Sequence, residues 1–317
     1  MDAFCGTGAV AELAASMGWP VRINDHMESS ALMAAARLIS SSEAKFAALG
    51  GYAKAIESLN ALQPIRGFIW KEYSPASATF LETIERRYFT EENAKKIDAA
   101  RSCIRAWRDA GKISLVEERL LIADLLGAVN RVANIAGTYG CFLSKWTPQS
   151  QETLALRTRE LKSSSARVEI SVGDVSSVKV EASDVAYLDP PYTKRQYASY
   201  YHILETVAHG DEPLVEGVAG LRPWRDRSSD FCYKSKALKA LTALIRKMPS
   251  QRILLSYSNE GHVPIDNLRN ALQGIGDVST HELARIGRYR PNKTASQANS
   301  SVKEYLIVID RYSEPVL

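Results

Sequence analysis

Asp189 is followed at once by two prolines and a tyrosine, and the run AYLDPPYTKRQYASYYH (186–202) then adds Lys194, Arg195 and Tyr197. Pro190 has no N–H and holds φ near about −65°. A residue before proline is pushed out of helical geometry, so Asp189 and Pro190 are both expected to be extended. The product is a stiff edge that offers a carboxylate and a backbone carbonyl, with an aromatic ring just beyond. Such an edge can accept two hydrogen bonds from one planar NH2 group while the ring stacks on whatever carries that group. A Pro-Pro pair can also simply end a strand and open a loop, so the rest of the chain must decide.

Three further polar groups stand where an α/β fold would use them. MDAFCGTGAVAELAASMGWPVRINDH has β-α-β grammar: a short apolar stretch, Gly6-Thr7-Gly8, a helix from Ala9 to Met17 ended by Gly18, and a strand Val21–Ile23 leading to Asn24-Asp25. Glycines between strand and helix let a ligand approach the backbone and the helix N-terminus, and an acid ending the next strand can hold ribose hydroxyls. Strand signals return near residue 166. Arg167 to Val172 lead to Gly173-Asp174, Val185 to Leu188 lead to Asp189, and Ile253 to Tyr257 lead to Ser258-Asn259. Asp25, Asp174, Asp189 and Asn259 are therefore all expected at carboxyl ends of strands, the binding edge of a doubly wound sheet. Two later strands, 278–283 and 301–309, are joined by a basic loop, RIGRYRPNK.

The elements between these points are helical. Thr90 is the expected N-cap of a helix through Arg108, with Gly111 as terminator. Ser114 with Glu117 has the capping-box pattern for a helix towards Val132. Residues 41–164 lack strand alternation and are read as an insertion into the α/β domain formed by 1–40 and 165–317. Within it, NIAGTYGCFLSKW (134–146) suits either a buried helix-to-loop turn or a loop whose backbone approaches nucleic acid.

Size and composition are those of a globular protein. The chain has 317 residues, 45% hydrophobic and 24% charged, with a net charge of +4. No apolar run approaches the roughly 18 residues of a membrane span, and no charged-then-apolar leader is evident, so the cytoplasm is expected. Four scattered cysteines and five histidines fall in no metal-ligand spacing, so no metal is expected. From Arg222 to Arg252 nine Lys or Arg face two Asp, a local excess of +7. Interleaved cations and aromatics suit a polyanion with stackable bases, or a solvated surface.

The chain resembles the Dam-like DNA adenine (N6) methyltransferases over nearly its whole length, in modification enzymes of restriction systems. FCGTG (4–8), Asp25, Gly173-Asp174 and DPPY (189–192) look like the family's motifs, in the family's order, and RQYASYYHILET, LSYSNEG and EYLIVID add to the likeness. The resemblance implies a Rossmann-like methyltransferase sheet with a C-terminal antiparallel hairpin, and S-adenosyl-L-methionine as cofactor, held by Phe4, Gly6, Gly8, Asp25, Asp174, Val175 and Asp189. It implies Asp189, Pro190, Pro191 and Tyr192 as catalytic residues. It makes the insertion a target recognition domain on double-stranded DNA, with Lys194, Arg195, Tyr197, Arg288, Arg290 and Lys293 touching the DNA. A cognate restriction endonuclease is an implied partner. The acceptor geometry alone would serve cytosine N4 or an RNA adenine equally, and a DNA-binding protein without turnover also remains open. Met1 stands only three residues before Phe4. In the family a complete first strand and a preceding segment help close the cofactor site, so weak cofactor binding is expected for the chain as numbered, with a natural product beginning upstream.

Overall fold

The computed structural model describes residues 1–81, 84–163, 167–283 and 302–312. Six strands and eleven α-helices are present among them: α1 Ala9–Ser16, β1 Val21–Asp25, α2 Glu28–Ala36, α3 Tyr52–Asn60, α4 Phe68–Tyr73, α5 Ser77–Leu81, α6 Glu91–Asp109 and α7 Leu115–Arg131. After these come β2 Val168–Val172, β3 Val185–Leu188, α8 Tyr197–Tyr200, α9 His202–His209, α10 Ala237–Lys247, β4 Arg252–Ser258, α11 Ile265–Leu272, β5 Gly276–Glu282 and β6 Glu304–Arg311. The mixed α/β class expected from the strand and helix signals is what the chain adopts.

β1 pairs parallel with β2, and β3 parallel with β4. β6 runs antiparallel between β4 and β5. The first residues join the two groups. Asp2 bridges Ile23 on one side and Tyr187 on the other, in parallel sense. Its N–H donates to the Arg22 carbonyl at 2.7 Å, and the Ala3 N–H donates to the Tyr187 carbonyl at 3.0 Å. The strand order is therefore β2, β1, residues 1–3, β3, β4, β6, β5. Because β1, β2, the first residues and β3 are all parallel, their carboxyl ends emerge at one edge.

The two long helices of 41–164, α6 and α7, begin at local side-chain caps. Thr90 Oγ1 accepts from the Asn93 N–H at 3.2 Å, and Ser114 and Glu117 cap each other's backbone N–H groups at 3.2 and 2.8 Å. Two other helices start without a capping side chain of their own. Asp98 of α6 accepts from the Ile69 and Trp70 N–H groups of α4 at 3.0 and 2.8 Å. Glu205 of α9 likewise accepts from the Ser29 N–H of α2 at 2.7 Å. Carboxylates at helix N-termini complement the helix dipole as well as the bare N–H groups.

The helical block shares its core with the α/β part. Ile97, Leu120, Leu125 and Val129 bury against Leu32 and Ala36 of α2 and Ile203 and Val207 of α9. The other side of α2 packs Ala34 and Ala35 on Ile23 and Ala11. A helix of small residues can lie between two layers because either face lets a neighbour approach closely. A separate core gathers Leu188, Leu255, Ile307 and Ile309 of the sheet with Leu241 of α10 and Leu268 of α11. In the 134–146 stretch Tyr139 is fully buried, its carbonyl accepting from Tyr88 Oη at 2.9 Å. Asn134, also fully buried, donates through Nδ2 to the Arg87 and Leu143 carbonyls at 3.0 Å. That centre is a packed turn.

Among the described residues no helix is long and apolar enough to cross a membrane.

Candidate active site

Asp25 ends β1, and its carboxylate is tied down at once. Oδ2 accepts from the Gly6 N–H and Oδ1 from the Met27 N–H, both at 2.9 Å. Burial raises its pKa, and the two N–H groups pull it partly back. Gly6 has φ +51°, and a Cβ there would meet nothing, so the space over the glycine loop is open. Gly8 is different. With φ +85°, its added Cβ would lie 2.6 Å from the Ala34 Cα, so this glycine lets α1 start hard against α2. Asp174, after β2, accepts from the Ser176 N–H at 2.7 Å; the Ser176 hydroxyl first, and then that N–H, hold its carboxyl below the usual range against burial.

These groups surround one cavity of about 500 Å³ at the carboxyl edge of the parallel strands. Of the residues expected to hold cofactor, Phe4, Gly6, Asp25, Asp174, Val175 and Asp189 line it, and Gly8 does not. Pro191 and Tyr197 line it too. Asp189 reaches solvent through this opening, while protein crowds it from behind. That crowding, with the nearby Glu304 charge, raises its pKa to about 6, against the pull of the Ser256 hydroxyl. Pro190 is buried. The half-buried Tyr192 packs its ring on Tyr257 at 5.5 Å and 60°, and its carbonyl accepts from the His262 N–H at 2.8 Å. Lys194 and Arg195 are exposed beyond the lining. Arg288, Arg290 and Lys293 lie outside the described residues.

The far wall was not legible in the sequence. It is built by Arg227 to Cys232, with Phe231 edge-on to Phe4 at 5.6 Å. Buried Gln196 faces Ser229: Nε2 donates to its carbonyl at 3.3 Å and Oε1 accepts from its N–H at 2.9 Å. His26, Met27 and Ser30 complete the rim beside Asp25. Asp2, between β1 and β3, carries no sequence signal either; burial, with the charges of Asp189 and Asp25, raises its carboxyl to about 7. No local pattern marks any of these positions.

The basic stretch 222–252 is less available than its charge suggests. Arg222 pairs with Asp211 at 2.9 Å, Arg227 with Glu205 at 3.2 Å, Lys236 with Asp230 at 2.9 Å and Arg252 with Asp310 at 2.6 Å. Four of its nine cations thus already have carboxylate partners. Among the described residues no group of three His, Cys, Asp or Glu side chains is arranged to hold a metal ion.

Comparison with known proteins places the chain in a family. The family model of D12 class N6 adenine-specific DNA methyltransferases matches residues 1–269. The chain is 31% identical to the type II methyltransferase M.FokI of Planomicrobium okeanokoites, across 98% of this chain and 48% of that protein. It is 35% identical to the modification methylase LlaI of Lactococcus lactis subsp. lactis, across 95% of this chain and 48% of that one. With the type II methyltransferase M.NlaIII of Neisseria lactamica it shares 33% identity, across 81% of this chain and 75% of that protein. The chain spans about half the length of the first two. No solved structure is significantly similar to it. With strand-end carboxylates, glycine loop and DPPY edge around one cavity, and the family model covering most of its length, the chain belongs to the D12 class of N6 adenine-specific DNA methyltransferases.

Proposed function

We propose that this protein transfers a methyl group from S-adenosyl-L-methionine to the N6 amino nitrogen of adenine in double-stranded DNA. The observation that carries this reading is the convergence of Asp25, Asp174 and Asp189 on one cavity, which Pro191 of the DPPY edge also lines while Pro190 and Tyr192 stand outside the lining. The cavity falls within the range of small-molecule sites, about 300–1,000 Å³, and its lining suits the cofactor. Each Asp25 oxygen uses one lone pair on the backbone and keeps another for a ribose hydroxyl. The open space over Gly6 admits the ligand close to the backbone, Phe4 and Val175 supply apolar walls, and Asp174 stands ready for a nucleobase N–H. When bound, S-adenosyl-L-methionine supplies an electrophilic methyl group on a sulfonium centre.

The chain's own residues prepare the acceptor. Adenine's amino lone pair is delocalised into the ring and is a poor nucleophile. Asp189 and the Pro190 carbonyl accept its two N–H groups, favour pyramidal nitrogen and stabilise the positive charge that develops there. Pro191 keeps that edge rigid and Tyr192 stacks on the base. An amino group inside a duplex is out of reach, so the target is flipped into the site. Lys194, Arg195, Tyr197, Arg288, Arg290 and Lys293 contact the DNA around it.

The same reading covers the whole architecture. Residues 1–40 and 165–317 form a doubly wound, Rossmann-like catalytic domain closed by a C-terminal hairpin, and 41–164 recognises the target sequence. The protein works in the cytoplasm beside a cognate restriction endonuclease, as suits a chain similar to proteins named modification methylases.

The test is direct. Duplex DNA incubated with the protein and methyl-labelled cofactor should gain N6-methyladenine at one recurrent sequence, read by modified-base sequencing. Asp189→Ala should remove at least a hundredfold of the rate, from a loss of about 2.7–4 kcal/mol for one preorganised group. Label in cytosine or RNA, or cofactor-free DNA binding without transfer, would overturn the proposal.

A further inference from the structure

The loop that carries the DPPY edge and the far wall of the cavity are separate in sequence, and Gln196 is the side chain that pairs with the wall in both directions. Gln196 is buried, and its amide pairs with Ser229 in both directions, much as one strand residue pairs with another. The Cys232 thiol adds a contact to the Arg195 carbonyl at 3.2 Å. His262 ties the same two segments from a third side: its N–H donates to the Tyr192 carbonyl, and Nε2 lies 3.0 Å from the Cys232 carbonyl. The other end of the wall is pinned where Arg227 meets the buried Glu205, whose second oxygen holds the start of α2. Ser228 and Ser229 lie between these anchors with no strand or α-helix of their own.

We infer that Gln196 is a positioning residue, whose two-way amide pairing holds the Ser229 wall to the Asp189–Tyr192 loop and so sets the cofactor seat against the target edge. This rests on the proposed function. The pairing needs a donor and an acceptor on one planar group, which glutamine has and a carboxylate lacks. A protonated carboxylic acid has both again. Gln196→Glu is therefore a pH-switchable version of the same contact: broken when ionised, restored when neutral. Burial beside a carbonyl raises that glutamate above its ordinary value of about 4.3.

Two measurements on the full chain test this. Hydrogen exchange of the peptide holding Ser229, followed without cofactor at pH 8, should quicken in Gln196→Glu and Gln196→Leu while α6 and α7 stay protected. Calorimetric titration at pH 8 should show S-adenosyl-L-methionine binding weakened about tenfold in both variants, the scale for losing about one net hydrogen bond. At pH 5 the Glu variant should return to within threefold of wild type at that pH, and the Leu variant should not. Faster exchange with unchanged cofactor affinity would reduce Gln196 to a structural contact and overturn the inference. So would a Glu variant that stays as weak as Leu at pH 5. Wild-type protein that binds no S-adenosyl-L-methionine would instead sink the proposed function, and the exchange comparison would still decide whether Gln196 holds the wall.

Discussion

Replacing Asp189 by asparagine keeps the shape and removes the charge, and the site's electrostatics give that change a signature in both stability and rate. Crowding by protein, with Glu304 adding repulsion, raises the carboxyl from 3.8 to about 6. A rise of that size corresponds to about 3 kcal/mol at 1.36 kcal/mol per pH unit. Asp189 meets solvent through the cavity, so screening cuts the contribution to about 1 kcal/mol. The sign follows from the direction of the shift. Below about pH 4 the group is neutral folded and unfolded, and asparagine gains nothing. Above about pH 6 it is ionised in both states and the folded state bears the full cost. Asp189→Asn should thus be more stable than wild type by about 1 kcal/mol at pH 8, with the gain vanishing towards pH 4. Urea denaturation across that range measures it. The same titration sets activity, since only the carboxylate favours the charge developing on nitrogen. Wild-type kcat/KM for DNA should fall as pH drops through about 6, and the asparagine variant, whatever its rate, should lack that acid limb. An equal stability difference at pH 4 and pH 8, or an acid limb surviving in the variant, would refute the reasoning.

Other substitutions separate the roles of neighbouring residues. If Tyr192 stacks on the base, Phe should be tolerated and Ala should cost about 1–3 kcal/mol in kcat/KM; equal damage from both would exclude stacking. Gly8→Ala should lower unfolding free energy by about 2 kcal/mol or more, because its Cβ has no room beside Ala34 and φ is positive; unchanged stability with weaker cofactor binding would return Gly8 to the cofactor loop. Arg222→Gln and Arg252→Gln should leave the salt slope of DNA binding unchanged, since Asp211 and Asp310 already hold those cations; a slope shallower by about one would mean that phosphates displace the carboxylates.

What the chain announces locally, it announces plainly. The DPPY edge, the strand-end acids Asp25 and Asp174, the Thr90 cap and the Ser114–Glu117 box depend on residues a few positions apart, where backbone sterics and short-range hydrogen bonds act without help from the fold. The strands fall within a few residues of where alternation and turn residues put them, for the same reason. Gly8 shows the limit: its place in a glycine loop is visible in sequence, but that it serves the packing of α1 on α2 depends on Ala34, which only the folded chain brings near. The caps of α2 and α4 come from Glu205 and Asp98, carboxylates far along the chain. The cations of 222–252 read as a free basic run until tertiary structure brings Asp211, Glu205 and Asp310 against them. The insertion looks separate by its change of pattern, yet its helices bury the same side chains as α2 and α9. The far wall of the cavity has no pattern at all, since Gln196 meets Ser229 only because two loops end at the same edge of the sheet. Burial and pairing between distant segments depend on where the backbone brings them, and no short stretch of residues contains that information.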